Sequence, residues 1–396
     1  MRSRWPIWLE GARTPGANSF AVLFALESFA RAIIATLIVL DLQRMTGSAA
    51  VTSIIFSCIA VFAMLGNFGI PPLAARIGRR WVYTLGAACL IIASLLMLPQ
   101  HIVSQIIAMM FRVFGVVCFN VCLNLYILDT LKGQQLNKLE PRRMLAAALP
   151  WTFGPAIGVQ LAVDVDHSVP LFISIAFTLM MIGFFWVLRT KEGSPLPIMR
   201  GPPPSPLRHL RRFVKTPRLR LSYVIAIARS TYWAMFFTYA PIYALENGLG
   251  EKVGGYLVSA GNAFLFLAPA IGWCGRRWGI KRMIIGGFCL SSFACFGAAG
   301  FSAWPWVGAG FLIAGAVAAS ILDVCGNLPF LRLVKPSERI TMTPLFATYR
   351  DFSDLVPQAV FSVLMRSFGI LPVVFVATGL WQAVAGLYAS RLPKRL

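Results

Sequence analysis

Acidic residues and histidine are scarce in this chain of 396 residues. It contains 14 Asp and Glu and 3 His, against 36 Lys and Arg. All charged residues together make up 13% of the chain, about half the share that a soluble domain carries. So few charged side chains cannot cover the surface of a soluble protein of this size, and the composition indicates a membrane protein.

Motifs for metal, disulfide and phosphate chemistry are also missing. The eight cysteines include no CxxC pair, and the three histidines lie at span edges or in loops, which disfavours a metal site and a disulfide framework. No glycine-rich loop precedes a Lys-Ser or Lys-Thr pair. We therefore expect no cofactor and no metal. An enzyme is disfavoured, because the short loops leave little room for a catalytic domain.

Long hydrophobic runs are the most abundant feature of the sequence. Hydrophobic residues make up 58% of the chain, and runs of about 20 residues, enough to cross a bilayer, recur along its length. We predict an all-α polytopic membrane protein with twelve spans, at approximately 18–40, 48–70, 81–99, 102–128, 143–163, 168–188, 221–245, 253–274, 283–301, 305–328, 341–364 and 368–390.

The net charge of +22 is distributed unevenly around these predicted spans. With the N-terminus in the cytoplasm, 29 Lys and Arg residues fall on the cytoplasmic side, and three (Arg44, Lys252 and Arg366) fall on the other. This asymmetry predicts cytoplasmic termini, and we expect a bacterial inner (plasma) membrane protein. The start of the sequence, MRSR, has no secretory cleavage pattern before the first span, so we expect no signal peptide. The basic charge then faces anionic lipid, so we expect no nucleic-acid partner.

The chain also repeats itself at a distance of about 202 residues. Residues 121–128 read VCLNLYIL and 324–331 read VCGNLPFL, while 76–80 read RIGRR and 277–281 read RWGIK. Two echoes in nearly one register predict a duplicated bundle. The Pro-rich basic segment 190–219 is the predicted linker between an N-terminal six-helix bundle, 1–189, and a C-terminal one, 220–396.

Two loops and one helix resemble motifs of the major facilitator superfamily. Residues 71–80, PPLAARIGRR, are similar to its signature loop Gly-x-Leu-Ala-Asp-Arg-x-Gly-Arg-Arg, and 272–281, GWCGRRWGIK, form the equivalent loop. Residues 154–158, GPAIG, resemble its Gly-Pro-x-x-Gly-Gly motif. The residues that carry the resemblance are Arg76, Gly78, Arg79, Arg80, Arg277, Gly279, Lys281, Gly154, Pro155 and Gly158.

The resemblance implies a fold of two pseudo-symmetric six-helix bundles that transports by alternating access. It also implies that the first, fourth, seventh and tenth spans line a central cavity. In the family, the acid of the signature loop helps to latch the halves together, and this chain has Ala75 and Arg276 there. The 154–158 motif is associated mainly with antiporters. Its glycines allow close helix approach, and its proline bends the helix.

Ionisable residues at bilayer depth are costly and by default mark function. The repeat register places Glu27 on Arg229. We hypothesise that these two side chains face each other across the cavity, where Glu27 can exchange its partner for a proton. The alternative is that Arg31, four residues on, neutralises Glu27 permanently. The candidates for proton coupling or gating are Glu27, Arg31, Arg112, Arg229, Asp323, Arg350, Asp351 and Asp354.

Two of these positions have further interpretations. Arg112 resembles an arginine of a family motif that is linked to proton coupling or to substrate anions, and it needs a carboxylate or an anionic ligand. In the eleventh span, Arg350 and Asp354 can pair along one helix face, while Asp351 points away. A structural ion-pair cluster with Asp323 is the preferred interpretation of this span, and a coupling site is the alternative.

The aromatic residues of the seventh span recur at three- and four-residue spacing and form one stripe. Such a stripe either packs in a core or lines a pocket beside Arg229. Asparagines on neighbouring spans offer hydrogen bonds to a solute or tie helices together. The candidates for the substrate cavity are Asn120, Asn124, Tyr232, Trp233, Phe236, Tyr239, Asn262 and Asn327, and Tyr243 belongs to the same stripe.

Together these patterns predict a secondary active transporter of a small organic solute, amphipathic or anionic, driven by protons. Efflux is favoured over the alternative, a proton-driven importer of an organic anion or a siderophore-like compound. A non-transporting receptor or scaffold is a remote alternative that rests on the linker alone. The expected partners are the solute, the lipid bilayer and protons, and the chain is expected to be a monomer.

Overall fold

The chain folds into helices throughout the part that the structure describes. A computed structural model describes residues 17–130, 134–190, 213, 215–301, 303–326, 329–330, 334, 342 and 345–393. The helices used below are α1 Ala17–Ala32, α2 Ala35–Thr46, α3 Ala49–Ile77, α4 Arg79–Leu96, α5 Ile102–Thr130, α6 Gln134–Asp164, α7 Ser168–Thr190, α8 Pro217–Glu246, α9 Glu251–Ala263, α10 Ala268–Trp278, α11 Ile280–Gly300, α12 Pro305–Cys325, α13 Tyr349–Phe368 and α14 Pro372–Ala389, with a 3₁₀ turn at Phe264–Leu267 between α9 and α10.

Ten helical segments within these ranges are long and apolar enough to cross a bilayer. They match ten of the twelve predicted spans, with α1 and α2 forming one segment, and α9 and α10 forming another. The seventh and eleventh predicted spans correspond to α8 and α13, and these two helices are not apolar enough to be among the ten. Their sequences explain this, since α8 carries Arg229 among Ser, Thr and Tyr residues, and α13 carries Arg350, Asp351 and Asp354.

The internal repeat is visible in the backbone at two pairs of glycines. Gly78 and Gly279 follow α3 and α10 with φ angles of 88° and 89°. Gly47 and Gly248 lie after α2 and α8 with φ angles of 61° and 72°. A residue with a Cβ is strained at such angles. The two halves, α1–α7 and α8–α14, therefore make the same turns at equivalent places.

The halves pack against each other mainly along two helix pairs, α3 with α13 and α6 with α9, and α2 also contacts α8 and α9. Each half also has apolar clusters of its own. One in the N-terminal half contains Tyr83, Phe119 and Phe185, and one in the C-terminal half contains Ile284 and Phe288. A further cluster around Phe236 and Phe375 also includes Val39 and Ala49 of the N-terminal half. The predicted linker 190–219 lies largely outside the described residues.

The glycines of the 154–158 motif accommodate an interruption in the first span. α1 ends at Ala32 and α2 begins at Ala35. A Cβ on Gly154 would lie 2.8 Å from the Cβ of Ala32, and one on Gly158 would lie 1.7 Å from the Ile33 carbonyl oxygen. Only glycine fits beside this turn of backbone, which is buried. The close helix approach expected of the motif is present.

The same motif touches the opposite half. A Cβ built on Gly255 of α9 would lie 3.0 Å from the Pro155 carbonyl oxygen. The backbone N–H of Ala156 donates a hydrogen bond of 2.9 Å to the Ser259 hydroxyl. α6 therefore contacts both the interrupted first span and the C-terminal half.

Candidate functional site: a cavity between the two halves

A cavity of about 450 Å³ lies where the two halves meet. The N-terminal half contributes only apolar side chains to its wall, four of them from α3 and one from α5. The C-terminal half contributes both aromatic and polar side chains, from α8 and α13. The lining residues are Phe56, Ile59, Ala60, Ala63, Val113, Ser230, Trp233, Ala234, Phe237, Thr238, Arg350, Asp354 and Gln358.

The helices that form this wall differ from those implied by the family resemblance. α5 and α8 line the cavity as expected, but α1, α2 and α12 contribute no lining residue among those described. α3 and α13 take their places because these two helices pack directly against each other across the interface. α13, which corresponds to the predicted eleventh span, is therefore part of the cavity wall.

Most polar groups on the wall are bonded to protein. Gln358 Nε2 donates to the Thr238 hydroxyl over 2.9 Å, and Trp233 Nε1 donates to Asp323 over 2.8 Å. Arg350 Nε donates to the Tyr349 hydroxyl over 3.3 Å. These side chains are held in place before any solute enters, as in the largely pre-formed pockets of other proteins.

Asp354 is different from its neighbours. Its side chain is exposed at the cavity wall, and it forms no hydrogen bond or ion pair within the described residues. The pairing of Arg350 with Asp354 along the helix, which the sequence suggested, is not made. Arg350 instead turns to Tyr349, with its guanidinium carbon 5.8 Å from the centre of that ring. A carboxylate is thus left facing the cavity.

Arg229 lies in a buried cluster behind this wall. Its guanidinium forms an ion pair of 3.2 Å with Asp323, donates a hydrogen bond of 2.8 Å to the Tyr349 hydroxyl, and lies 5.3 Å from the centre of the Tyr349 ring. Tyr349 was not singled out from the sequence, although it immediately precedes Arg350. The cluster neutralises Arg229 within its own half.

Glu27 is neutralised in the same manner in the other half. Glu27 and Arg31 form an ion pair of 2.9 Å, four residues apart on α1. Arg112 of α5 donates to the backbone carbonyl of Arg31 over 3.0 Å, and its Nε is buried without a partner. In this structure Glu27 and Arg229 have separate partners, as the alternative interpretation proposed for Glu27. The exchange between them remains a hypothesis about other conformations.

The aromatic stripe divides between core and cavity. Trp233 lines the cavity, and so does Phe237, which sequence reasoning did not single out although it lies four residues further on. The other four side chains are wholly buried in the C-terminal core, where two tyrosine hydroxyls donate to the backbone of α12. These four are Tyr232, Phe236, Tyr239 and Tyr243.

The asparagine candidates lie away from the described lining. Asn262 is buried and donates to Val258 of its own helix over 2.9 Å. Asn120 and Asn124 are exposed, and Arg143 donates to Asn124 over 3.4 Å. Asn327 lies outside the described residues. Their role in substrate binding therefore stays a prediction.

The signature loops lie away from the cavity wall. Arg76, Arg80 and Arg277 are exposed, and the guanidinium of Arg277 lies 5.4 Å from the centre of the Trp273 ring. Lys281 donates to the carbonyl oxygen of Leu392 over 2.6 Å. These contacts fix the ends of helices and do not touch the cavity.

Two polar links join α3 to the C-terminal half, one on each side of the cavity. The Ser53 hydroxyl forms a hydrogen bond with the Tyr239 hydroxyl. Asn67 Nδ2 donates to Asp351 over 2.9 Å. Fourteen residues of one helix separate Ser53 from Asn67, which corresponds to about 21 Å. The lining residues of α3 lie between the two links.

A cross-half cluster closes the end of the molecule where α3 begins. It consists of the ion pairs Arg44–Glu251 and Lys252–Asp164, together with a hydrogen bond of 2.9 Å from Gln43 to Glu246. The two signature loops lie at the opposite end, because α3 runs from Ala49 to Ile77. The cluster holds α2 and α6 against α8 and α9.

A helical bundle of two similar halves, with a solute-sized cavity between them, is the architecture of a secondary transporter. The sequence profile of the Major Facilitator Superfamily matches residues 20–356. The chain belongs to this superfamily. It is therefore an integral, multi-pass membrane transporter and not an enzyme.

Solved structures show the same fold. A POT family transporter in complex with a thioalcohol-conjugated peptide is 13% identical with a TM-score of 0.76, over 95% of this chain and 97% of that one. The same values hold for a POT family transporter in complex with 5-aminolevulinic acid. A mutant of the nucleoside transporter NupG is 13% identical with a TM-score of 0.71, over 94% of this chain and 98% of that one. No curated protein sequence matches the chain.

Proposed function

We propose that this transporter moves a small amphipathic organic solute by alternating access, coupled to protons, with efflux as its direction. The observation that supports this most is the composition of the cavity wall. One side is apolar and the other is aromatic and polar, so a bound solute meets both kinds of surface. A volume of about 450 Å³ falls within the range of small-molecule sites.

We further propose that residues 1–189 and 220–396 are the two units that move, joined by 190–219. The ion pairs of the cross-half cluster would separate in the conformation that opens that end. Exposed ion pairs contribute little each, so they can break and form again in every cycle. With the N-terminus in the cytoplasm, the open end in that conformation would be the external one.

Proton coupling is assigned to Asp354. A carboxylate exposed to the cavity, without a hydrogen bond or ion pair in the described part of the chain, is free to exchange protons with water there. Glu27 is less suited in this conformation, since it is buried and paired with Arg31. The relatives of known structure transport peptides and nucleosides, but at 13% identity they do not specify the solute here.

Proteoliposomes with an imposed pH gradient test this proposal. Accumulation of ethidium, fluorescein and chloramphenicol samples a cationic, an anionic and a neutral amphipathic solute. An antiporter accumulates its solute when the lumen is acidic, and a symporter does so when the lumen is alkaline. We expect the first result for at least one probe. The second would support the importer instead.

The variant Asp354→Asn should abolish the gradient-driven component of this transport. Asp166→Asn provides a matched control, because it is the same acid-to-amide change at an exposed loop position, and asparagine caps helices as well as aspartate does. Gradient-driven flux of equal size in Asp354→Asn and in wild type would rule out Asp354 as the coupling residue. If no solute moves in wild type, the proposed transport itself fails.

A further inference from the structure

The polar groups available to a solute can be found by elimination. Of the polar lining side chains, Gln358 and Thr238 are bonded to each other, Trp233 to Asp323, and Arg350 to Tyr349. Ser230 and Asp354 remain without a hydrogen-bond partner among the described residues. Of these two, only Asp354 carries a charge.

The walls around Asp354 suit a positively charged organic group. Trp233 and Phe237 lie side by side on α8, with ring centres 5.5 Å apart and planes inclined by 27°. Phe56 contributes a third ring from α3. Aromatic faces attract cations through their negative π-faces, and this attraction strengthens where water is excluded. The rest of the lining from α3 and α5 is aliphatic, which suits the apolar body of such a solute.

Among the residues that the structure describes, the ionisable groups around Asp354 sum to a net negative charge. On its own helix the neighbours are Arg350 and Asp351. α8 contributes Arg229, which is paired with Asp323 of α12. The lining residues from α3 and α5 are all uncharged, and Asn67 of α3 binds Asp351. One base against two acids on α13 therefore favours a cation over an anion.

We propose that Asp354 binds the cationic group of an amphipathic organic cation, in competition with a proton. This inference rests on the proposed function and deepens it by naming the class of solute. One carboxylate can hold a proton or form an ion pair with a cation, but not both at once. Exclusive occupancy of this kind couples entry of one to departure of the other, which is the requirement for antiport.

The test uses two ions of nearly the same size and shape but opposite charge, tetraphenylphosphonium and tetraphenylborate. Binding of radiolabelled tetraphenylphosphonium to the purified full-length protein is measured in detergent, with each unlabelled ion as competitor. We expect the phosphonium ion to bind and to compete, and the borate ion not to compete. Binding should weaken in acidic buffer, because the protonated carboxyl group no longer attracts a cation.

Three variants separate a binding role from a structural one. Asp354→Asn should weaken phosphonium binding by about thirtyfold, because the bound phosphonium ion displaces water from the carboxylate and the two form a desolvated charge pair. Asp354→Glu retains the charge and should retain binding. Asp166→Asn should bind like wild type. If Asp354→Asn does not fold, the pH dependence and the competition by the borate ion still decide the question in wild type.

Some results would overturn the inference while leaving the proposed function intact. Phosphonium binding that is absent, independent of pH, or matched by borate would show that Asp354 does not select cations. Gradient-driven accumulation of fluorescein but not ethidium would lead to the same conclusion. In both cases transport of another solute class could still be measured in the proteoliposome assay, so the two failures are distinguishable.

Discussion

The two halves bury equivalent positions with charges of opposite sign. In the N-terminal half the acid Glu27 is buried, with 1% of its side chain exposed, and its partner Arg31 is 23% exposed. In the C-terminal half the base Arg229 is buried, with 6% exposed, and its partner Asp323 is 21% exposed. Each half therefore places one ion deep and neutralises it with a less buried partner of its own.

This contrast shows which properties of a duplicated bundle are retained and which are free to diverge. The turns at Gly47 and Gly248 keep the same handedness, as do those at Gly78 and Gly279. The equivalent positions of Glu27 and Arg229 are both buried, but their side chains carry charges of opposite sign. The location of the neutralising partner differs too. Arg31 is four residues from Glu27 on the same helix, while Asp323 and Arg229 lie on different helices.

The largest effect is expected for Asp323→Ala, which leaves the Arg229 guanidinium buried without a carboxylate. Removing one partner of a buried pair costs about 3–5 kcal/mol, and the partial exposure of Asp323 places this case near the lower value. Arginine remains protonated at any working pH. The apparent melting temperature in detergent should therefore fall strongly, and acidification should not restore it.

The equivalent change in the other half, Arg31→Ala, tests whether the sign of the buried ion matters. It leaves Glu27 without its partner, but a carboxylate can bind a proton and become neutral. Its loss of melting temperature should be smaller than that of Asp323→Ala and should shrink as the pH falls. Equal, pH-independent losses in the two variants would contradict the contrast between the halves.

Gly158→Ala is expected to have the next largest effect, because the added methyl would meet the Ile33 carbonyl oxygen. Overpacking typically costs about 1–3 kcal/mol, and contact with rigid backbone places this case in the upper part of that range. Gly183→Ala on α7 is the control, since nothing lies within 4 Å of its added carbon. Similar melting temperatures for the two variants would show that the interruption of the first span does not require a glycine opposite it.

A smaller effect is expected at the cross-half cluster, where Arg44→Glu places two acids against each other. An exposed ion pair contributes about 0.2–1 kcal/mol. Arg44→Glu with Glu251→Arg restores opposite charges across the halves. It should recover part of the stability that Arg44→Glu loses, because residue 44 also lies beside Asp41 on its own helix. The double-mutant cycle is measured by thermal unfolding. Strictly additive effects would mean that this pair does not hold the halves together.

The smallest effect is expected at the start of α7, which Asp166 caps. The equivalent helix of the C-terminal half, α14, starts at Pro372 instead. Hydrogen bonds from the Ser168 hydroxyl and backbone N–H lower the pKa of Asp166 below its ordinary value. A lowered pKa contributes stability above the unfolded value of about 3.9, and this contribution is lost as the pH falls through the folded value. Asp166→Ala should melt slightly earlier than wild type at neutral pH, and the difference should vanish in strong acid. A difference that persists there would exclude the ionised cap as its cause.

Much of the fold could be predicted from composition and periodicity alone. The apolar runs located ten membrane-crossing segments, and one of the echoes at about 202 residues contains the shared turn at Gly78 and Gly279. The shared turn at Gly47 and Gly248 was not recognised from the sequence. The pairing of Glu27 with Arg31 was predictable because four residues bring two side chains to one helix face. These features depend on local sequence, so they could be inferred without the structure.

The wall of the cavity could not be predicted in the same way. Which helices line it depends on how α3 and α13 are tilted and rotated in the packed bundle, and no local pattern encodes that. The same limit applies to the pairing of Arg229 with Asp323 and to the link from Asn67 to Asp351, whose members are distant in sequence. The aromatic stripe was recognised, but helix rotation decided that only Trp233 among its members faces the cavity.

The interruption at Ile33 and Ile34 has a mechanical consequence. Gln43 and Arg44 attach α2 to the C-terminal half, whereas Glu27 lies on α1, beyond the break. We therefore expect a displacement of α2 to be absorbed partly at this break before it reaches Glu27. α8, in contrast, continues as one helix from Glu246 to Arg229, despite Pro241. We expect α8 to transmit a displacement of its end at Glu246 to Arg229 more completely than α2 transmits one to Glu27.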